Sequence, residues 1–316
     1  MIILYPFFPS QSNIITILSF NLWNGGQNRN ISAHQFAEFI KNSNVDIACL
    51  QETSTWVGDE YSEIIKENIA PVIAQILGWN VYIQRTTHTY STAILSKYNH
   101  TKILYYESIY NGTSENDIIA IEFQVDKAKS LNPRSKVLVL NDHLTDDPYQ
   151  PEILKNLTGK PLNESKSFVD EQMKSAYKTR SEIIFKKINK VLLNRTLEET
   201  NIPVFVTADY NEPSHLDWTE RAWRNGDVPC ICEWPTSKGL YNIGFQDSFR
   251  TIYTDEVKYK LNSWSVAWED EGQRFDRIDI IYHMNIEVES VKYINTGFSD
   301  HQAVVASFSL APLCFK

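Results

Sequence analysis

The sequence predicts a layered α/β protein, and three observations carry that prediction. Strand-like runs bounded by turn residues recur along the chain, several are apolar without interruption, and helical patterns fall between them. A strand with one face in water alternates, so an unbroken apolar run implies a strand covered on both faces. With 316 residues, 42% of them hydrophobic and 22% charged, the chain can bury a large core, and no linker, low-complexity run or internal repeat divides it.

Residues 1–10 are apolar but carry Pro6 and Pro9, no basic leader and no small-residue cleavage site, so they do not read as a signal peptide. Residues 1–13 are expected to form an N-terminal extension and residues 14–311 a single domain. Strands are expected at 14–20, 45–50, 81–84, 92–95, 118–125, 136–141, 203–207, 277–283 and 303–310. Helices are expected at 33–42, with Phe36, Phe39 and Ile40 on one face, at 61–77, and at 168–193. The last would bury a stripe of Phe168, Tyr177, Ile183, Ile184, Ile188, Val191 and Leu192 and turn its lysines to water. Residues 211–273 lack regular periodicity yet hold five of the eight tryptophans, which suggests a functional loop system or rings that pack the loops down.

The net charge of -9 argues against a surface that tracks nucleic acid everywhere, because such binders neutralise phosphates. Residues 150–195 differ, with ten Lys or Arg against five acids, a local +5. No stretch approaches the roughly 18 apolar residues needed to cross a bilayer, so a soluble protein without a transmembrane segment is expected. Cys49, Cys230, Cys232 and Cys314 form no disulfide framework and favour a reducing, cytoplasmic compartment. Six glycosylation sequons, at Asn30, Asn99, Asn111, Asn156, Asn163 and Asn194, would suit a secreted chain instead. A monomer is expected.

Polar residues recur where apolar strands stop: Asn21 after 17–20, Gln51 and Glu52 after 46–50, Asn141 to His143 after 137–140, and Asp209 and Asn211 after 204–207. Arg277 with Asp279, and Asp300 with His301, complete the set. In a packed sheet protein the apolar strand bodies fix the spacing of such ends and gather them at one rim. Carboxylates and amides there make a hard oxygen site that suits Mg²⁺ or Mn²⁺ and disfavours Zn²⁺, for which Cys230 and Cys232 are too few and oddly spaced. No organic cofactor is expected.

In order and spacing these segments resemble the endonuclease/exonuclease/phosphatase superfamily, the deoxyribonuclease-I-like metal-dependent hydrolases, over nearly the whole chain. The resemblance implies a four-layer α/β sandwich, two mixed β-sheets packed face to face with helices on the outside. It implies a phosphodiesterase in which Glu52 is the principal metal ligand, helped by Asn21 and Asp300. His301 would be the general base or a phosphate contact, its tautomer held by Asp279, with Asp276 a second candidate for that partner. Asp209 and Asn211 would position the attacking water and phosphoryl oxygens, and His143 would contact the phosphate or assist the leaving group. Singly, Asn21 could cap a loop and Asp279 could pair with Arg277.

Two departures from the family pattern stand out. Ala208 and Tyr210 replace Gly and Phe around Asp209, which matters if position 208 needs a positive φ, and residues 91–92 are Ser-Thr where a Gly is usual. The run 274–279 is Arg-Phe-Asp-Arg-Ile-Asp, which ranks the inositol-polyphosphate phosphatase branch low. The implied substrate is a phosphoester, either nucleic acid or, as in sphingomyelinase-like enzymes, a phospholipid head group. A catalytically silent binding protein on this scaffold would be expected to lose Glu52, Asp209 or His301, and all three are present. Residues 145–167, just after His143, are a candidate substrate-facing flap.

Overall fold

In the computed structural model, residues 14–57, 64–84, 91–106, 118–125, 135–193, 195–196, 198–264 and 276–311 are described. The expected extension over 1–13, Asn111, Asn194, Trp268 and Cys314 lie outside them.

Inter-strand pairing places these strands in two six-stranded sheets. One sheet runs β13 (Glu287–Ile294), β14 (Ala303–Ser309), β1 (Ile14–Asn21), β2 (Ile47–Gln51), β6 (Ala93–Ser96), β5 (Asn80–Ile83). The other runs β11 (Gln246–Asp247), β12 (Asp279–Met284), β10 (Val204–Asp209), β9 (Lys136–His143), β8 (Ile118–Gln124), β7 (His100–Tyr106). Both are mixed, because β1 and β2 pair parallel, as do β9 and β10, among antiparallel neighbours. Ile15, Ile17, Ile47 and Cys49 from the first sheet meet Val137, Val139, Phe205 and Ile281 from the second in one core between the sheets. The intervening residues point outward. Leu18, Phe20, Ala48 and Leu50 pack under α1 (Ala33–Asn42) and α2 (Ala70–Leu77), while Leu138, Leu140, Val204 and Val206 pack under α5 (Glu182–Leu193). The four-layer sandwich implied by the sequence is the fold found, and every expected strand is present.

Three sequence expectations change. The helix expected over 61–77 begins only at Ala70, with Pro71 in its first turn, where its missing N–H costs nothing. Before it, β4 (Ile64–Asn68) pairs with β3 (Ser54–Val57) as a hairpin. The edge strands β7, β11 and β13 also escaped the sequence pattern; β13 is mostly solvent-facing and has no unbroken apolar run. The long helix starts earlier, as α4 (Leu162–Ala176), and passes through a π-helical turn at Tyr177–Ser181 into α5. That turn shifts the helical phase, so Phe168 and Tyr177 are exposed while Ser165, Val169 and Ala176 are buried. The lysines do not all face water: Lys187 is buried, with Nζ 3.2 Å from Asp142 Oδ2. Arg180 is fully buried as well, donating to the backbone oxygens of Thr145 and Pro148 and to Gln150. Both lie on the face that carries Ile184, Ile188 and Val191, where the buried Asp142 carboxylate needs a counter-charge.

Within 211–273 the chain forms α6 (Glu220–Arg224), α7 (Pro235–Asn242) and α8 (Ser248–Ile252). Trp218 and Trp234 stack edge to face in a small core beside α3 (Gln150–Leu154) and α4, with Cys230 and Cys232 buried among them, so these rings pack loops. No described helix is long and apolar enough to cross a membrane.

Candidate active site

The inward row of each sheet turns polar at one end. Along β1, Ile15 and Ile17 give way to Ser19 and Asn21; along β9, Val137 and Val139 give way to Asn141 and His143; along β10, Phe205 gives way to Thr207 and Asp209. Strand register then sets the neighbours: Asp209 lies opposite both His143 and Asp279, and Asn21 lies opposite Gln51. Below the site, Gln51 Nε2 donates to Asn141 Oδ1 at 2.8 Å and Asn141 Nδ2 donates to the backbone oxygens of Leu50 and Ala93, tying the two sheets together. The sequence marked Gln51 and Asn141 only as members of polar clusters; their cross-sheet bond depends on a packing it does not reveal.

Asp209 is the hub. Its Oδ2 accepts from Asn21 Nδ2 at 2.9 Å and lies 3.4 Å from His143 Nε2 and 3.6 Å from His301 Nε2, while Oδ1 accepts from Asn211 N–H at 3.0 Å. Glu52, on the first residue past β2, places Oε1 2.9 Å from Asn21 Nδ2 and 4.0 Å from His143 Nε2. Asn211 Nδ2 reaches the Leu144 carbonyl at 2.8 Å and approaches His143 Nε2 at 3.3 Å. His301 Nδ1 is 2.8 Å from Asp279 Oδ2, which identifies Asp279 and not Asp276 as its partner; Asp276 accepts from the Tyr149 hydroxyl instead. Arg277 pairs with Asp217 and Asp247, so the alternative pairing with Asp279 is also removed. Asp300 stands at the rim, with Oδ1 3.9 Å from His301 Nε2 and Oδ2 accepting from Trp264 Nε1 at 3.1 Å. All eight residues expected at the site therefore converge.

Two details bear on the residue-level expectations. Asn21 presents its NH₂ to Glu52 and Asp209, and its carbonyl accepts from Trp23 N–H at 2.9 Å, so the oxygen expected to hold the metal is turned away. The reverse orientation would set that oxygen against two carboxylates, which only an intervening cation would favour. Ala208 lies inside β10 with an extended backbone, and of the eight site residues it is Glu52 (51°) and Asn211 (46°) that have positive φ, so the missing glycine has no steric consequence. Trp264 and Tyr149, whose rings meet edge to face at 5.3 Å, join the site without any sequence signal beyond being aromatic residues in loops.

The electrostatics are lopsided. Burial works against a charged His143, but the hydrogen bond and charge of Asp209, with Glu52, push it up to about 9. Burial likewise opposes a charged His301, yet Asp279 and Asp209 hold it well above its ordinary value. Asp209 would be raised by burial, but the charges of His301 and His143 and the Asn211 N–H bring it down to about 2. Burial raises Asp279 to about 6 against the pull of His301; the pair shares one proton, and Asp209's second negative charge keeps it on the ring. Asp300 is raised by burial and, against His301, by Glu52. Four carboxyl groups, those of Glu52, Asp209, Asp279 and Asp300, thus stand against two imidazole rings.

An excess of carboxyl groups over rings suits a cation, and their oxygens fit a hard one. Carboxylate oxygens of Glu52 and Asp209 lie within 4.8 Å of one another, as do those of Asp209 and Asp279, and Asp279 Oδ1 is buried without a hydrogen-bond partner among the described residues.

The Endonuclease/Exonuclease/phosphatase family matches residues 18–301. A curated protein of Caenorhabditis elegans, described as "Uncharacterized protein F14F9.5", is 27% identical over 287 residues, covering 87% of this chain and 80% of its own length. Among solved structures, truncated Caenorhabditis elegans TDP2 superposes with a TM-score of 0.52 at 19% identity, covering 94% of this chain and 97% of that one. D. rerio TDP2 complexed with a single strand DNA product gives 0.52 at 12% identity, covering 93% and 98%. An AP endonuclease from Archaeoglobus fulgidus gives 0.53 at 14% identity, covering 92% and 98%. At these identities the structural likeness speaks to the fold.

Proposed function

Because the chain belongs to the Endonuclease/Exonuclease/phosphatase family, we propose that it is a divalent-cation-dependent phosphodiesterase whose site is the eight-residue cluster at the polar end of the inter-sheet core. The single observation that carries this reading is the charge imbalance: four carboxylates gathered against two imidazole rings in a nearly buried cleft form a poor structural element but a good cation site. Glu52 and Asp300 would hold Mg²⁺ or Mn²⁺, with Asn21 beside them. The ion would neutralise charge on the phosphoryl oxygens.

The residues divide the remaining work according to their charge. Asp209, ionised through the neutral range, is the acceptor for the attacking water's proton and, with Asn211, orients that water. His143 and His301 carry their protons near neutrality and are suited to donate to phosphoryl or leaving-group oxygens. Of the two roles open to His301 from the sequence, this favours the phosphate contact. Asp279 fixes the His301 ring through Nδ1 and leaves Nε2 facing the cleft.

A nucleic-acid substrate draws support from relatives described as an AP endonuclease and as holding a DNA product, and from the +5 charge on residues 150–195, which is +3 once the buried Arg180 and Lys187 are set aside. The test is a panel of duplex and single-stranded DNA, RNA, sphingomyelin and a chromogenic phosphodiester, each with Mg²⁺, Mn²⁺ or EDTA and beside Glu52→Ala. Metal-dependent cleavage of a nucleic acid, lost in Glu52→Ala, is expected. Cleavage of sphingomyelin alone would move the chain to the phospholipid branch, and no cleavage of any ester would end the enzyme reading.

A further inference from the structure

Four consecutive residues leave β1 with positive φ: Trp23 (54°), Asn24 (56°), Gly25 (60°) and Gly26 (78°). One left-handed residue is ordinary, but a left-handed run that includes a tryptophan is strained and persists only where its surroundings impose it. Here they do. A Cβ on Gly25 would stand 3.0 Å from Thr55 Cγ2, and one on Gly26 would stand 2.6 Å from the Phe36 ring and 2.7 Å from the Ile31 oxygen.

The run is aimed at the acidic site. Asn24 N–H donates to Glu52 Oε2 at 2.9 Å, Gly25 N–H donates to the Glu52 carbonyl at 2.7 Å, and Trp23 N–H donates to Asn21 Oδ1 at 2.9 Å. Glu52 is itself left-handed at φ 51°. Both conformationally costly segments thus meet at one carboxylate, which accepts from Asn21 Nδ2 on Oε1 and from Asn24 N–H on Oε2.

We propose that the left-handed turn Trp23–Gly26 is a positioning element for the cation: it fixes the Glu52 carboxylate before the ion arrives, directly and through the Asn21 amide that donates to it. This rests on the reading of Glu52 as a metal ligand. None of the four residues touches the reacting atoms; they act through Glu52 and Asn21. Donors placed behind a ligating group typically change metal affinity by about 10–100-fold when removed.

The test uses Mn²⁺ binding by calorimetry, with the melting temperature of the metal-free protein recorded beside it. Gly25→Ala, which adds a Cβ at positive φ, is expected to weaken Mn²⁺ binding about tenfold while the metal-free melting temperature falls by only a few degrees. Asn24→Val keeps the N–H and sits at a half-buried position, but a β-branched residue resists the left-handed region, so it should do the same and serves if Gly25→Ala does not fold. Folded variants that bind Mn²⁺ as wild type does would overturn the positioning role, because a turn that only packs would move the melting temperature and leave affinity alone. Glu52→Ala separates the two ideas: if it binds Mn²⁺ as tightly as wild type, the ligand assignment fails and the positioning role falls with it. If it loses binding while both turn variants keep it, the positioning role alone fails.

Discussion

His283 and His301 are both buried histidines lining the space between the sheets, yet they titrate in opposite directions. His283 lies on β12, four residues beyond Asp279 on the same inward row, with its ring 5.3 Å from Phe308 and Nδ1 2.9 Å from the Ser248 hydroxyl. Burial lowers it to about 4, and Asp247, which pulls the other way, shares its charge with Arg277. His301 and His143 are as deeply buried but stand among carboxylates, and their charges are held on. The difference teaches that burial alone does not decide what an inward histidine does. The apolar end of the core keeps its histidine neutral as a packing residue, and the polar end keeps two as cations beside an excess of acid.

The comparison breaks most visibly if the polar end does no chemistry. His301→Ala should lower kcat/KM on the cleaved phosphodiester by about 10²–10⁴-fold, and His283→Gln by less than tenfold; similar losses in both would erase the contrast. A second expectation concerns the carboxyl excess. Mn²⁺ at about 100 times its dissociation constant should stabilise the protein by about 2.7 kcal/mol in thermal melts, a gain that EDTA and Glu52→Ala remove and His283→Gln retains.

The third sharpens the apolar end through pH. The folded value of His283, about 4, lies below its unfolded value near 6.5, so between them the unfolded chain binds the extra proton. Its contribution is therefore fully present above about pH 6.5 and is lost as pH falls toward 4, on the order of 3 kcal/mol in urea titrations. His283→Gln should flatten that limb; an unchanged limb would assign it elsewhere. The smallest effect probes where the polar end stops. Tyr149→Phe removes one hydrogen bond to Asp276 and should cost about 0.5–1.5 kcal/mol of stability with less than a tenfold change in kcat/KM.

Much of the site was legible because strands advertise their ends. An apolar run such as 137–140 followed by Asn, Asp and His says both where the strand stops and that something polar collects there. The edge strands were not legible, since β13 turns most of its side chains to water and so reads as neither period. The helix expected over 61–77 gives way to a strand at 64–68 because hairpin pairing with β3 outweighed local propensity, although Pro71 marked the true start. Lys187 and Arg180 looked like surface charges on a basic helix. What turned them inward was a buried carboxylate on a strand 45 residues away and a loop's unpaired carbonyls.

The sequence by itself determined a layered α/β protein, because unbroken apolar runs leave only strands covered on both faces, and its family resemblance implied the two-sheet sandwich. It also determined which residues stand at the strand ends. Tertiary structure alone decided their partners: register put Asp209 between His143 and Asp279, sheet packing brought Glu52 to them, and Asp279 took His301 while Arg277 went to Asp217 and Asp247. The reason is range. Alternation and chain-ending polarity are properties of neighbouring residues, whereas a charge's partner and protonation depend on which distant carboxylates share its buried space.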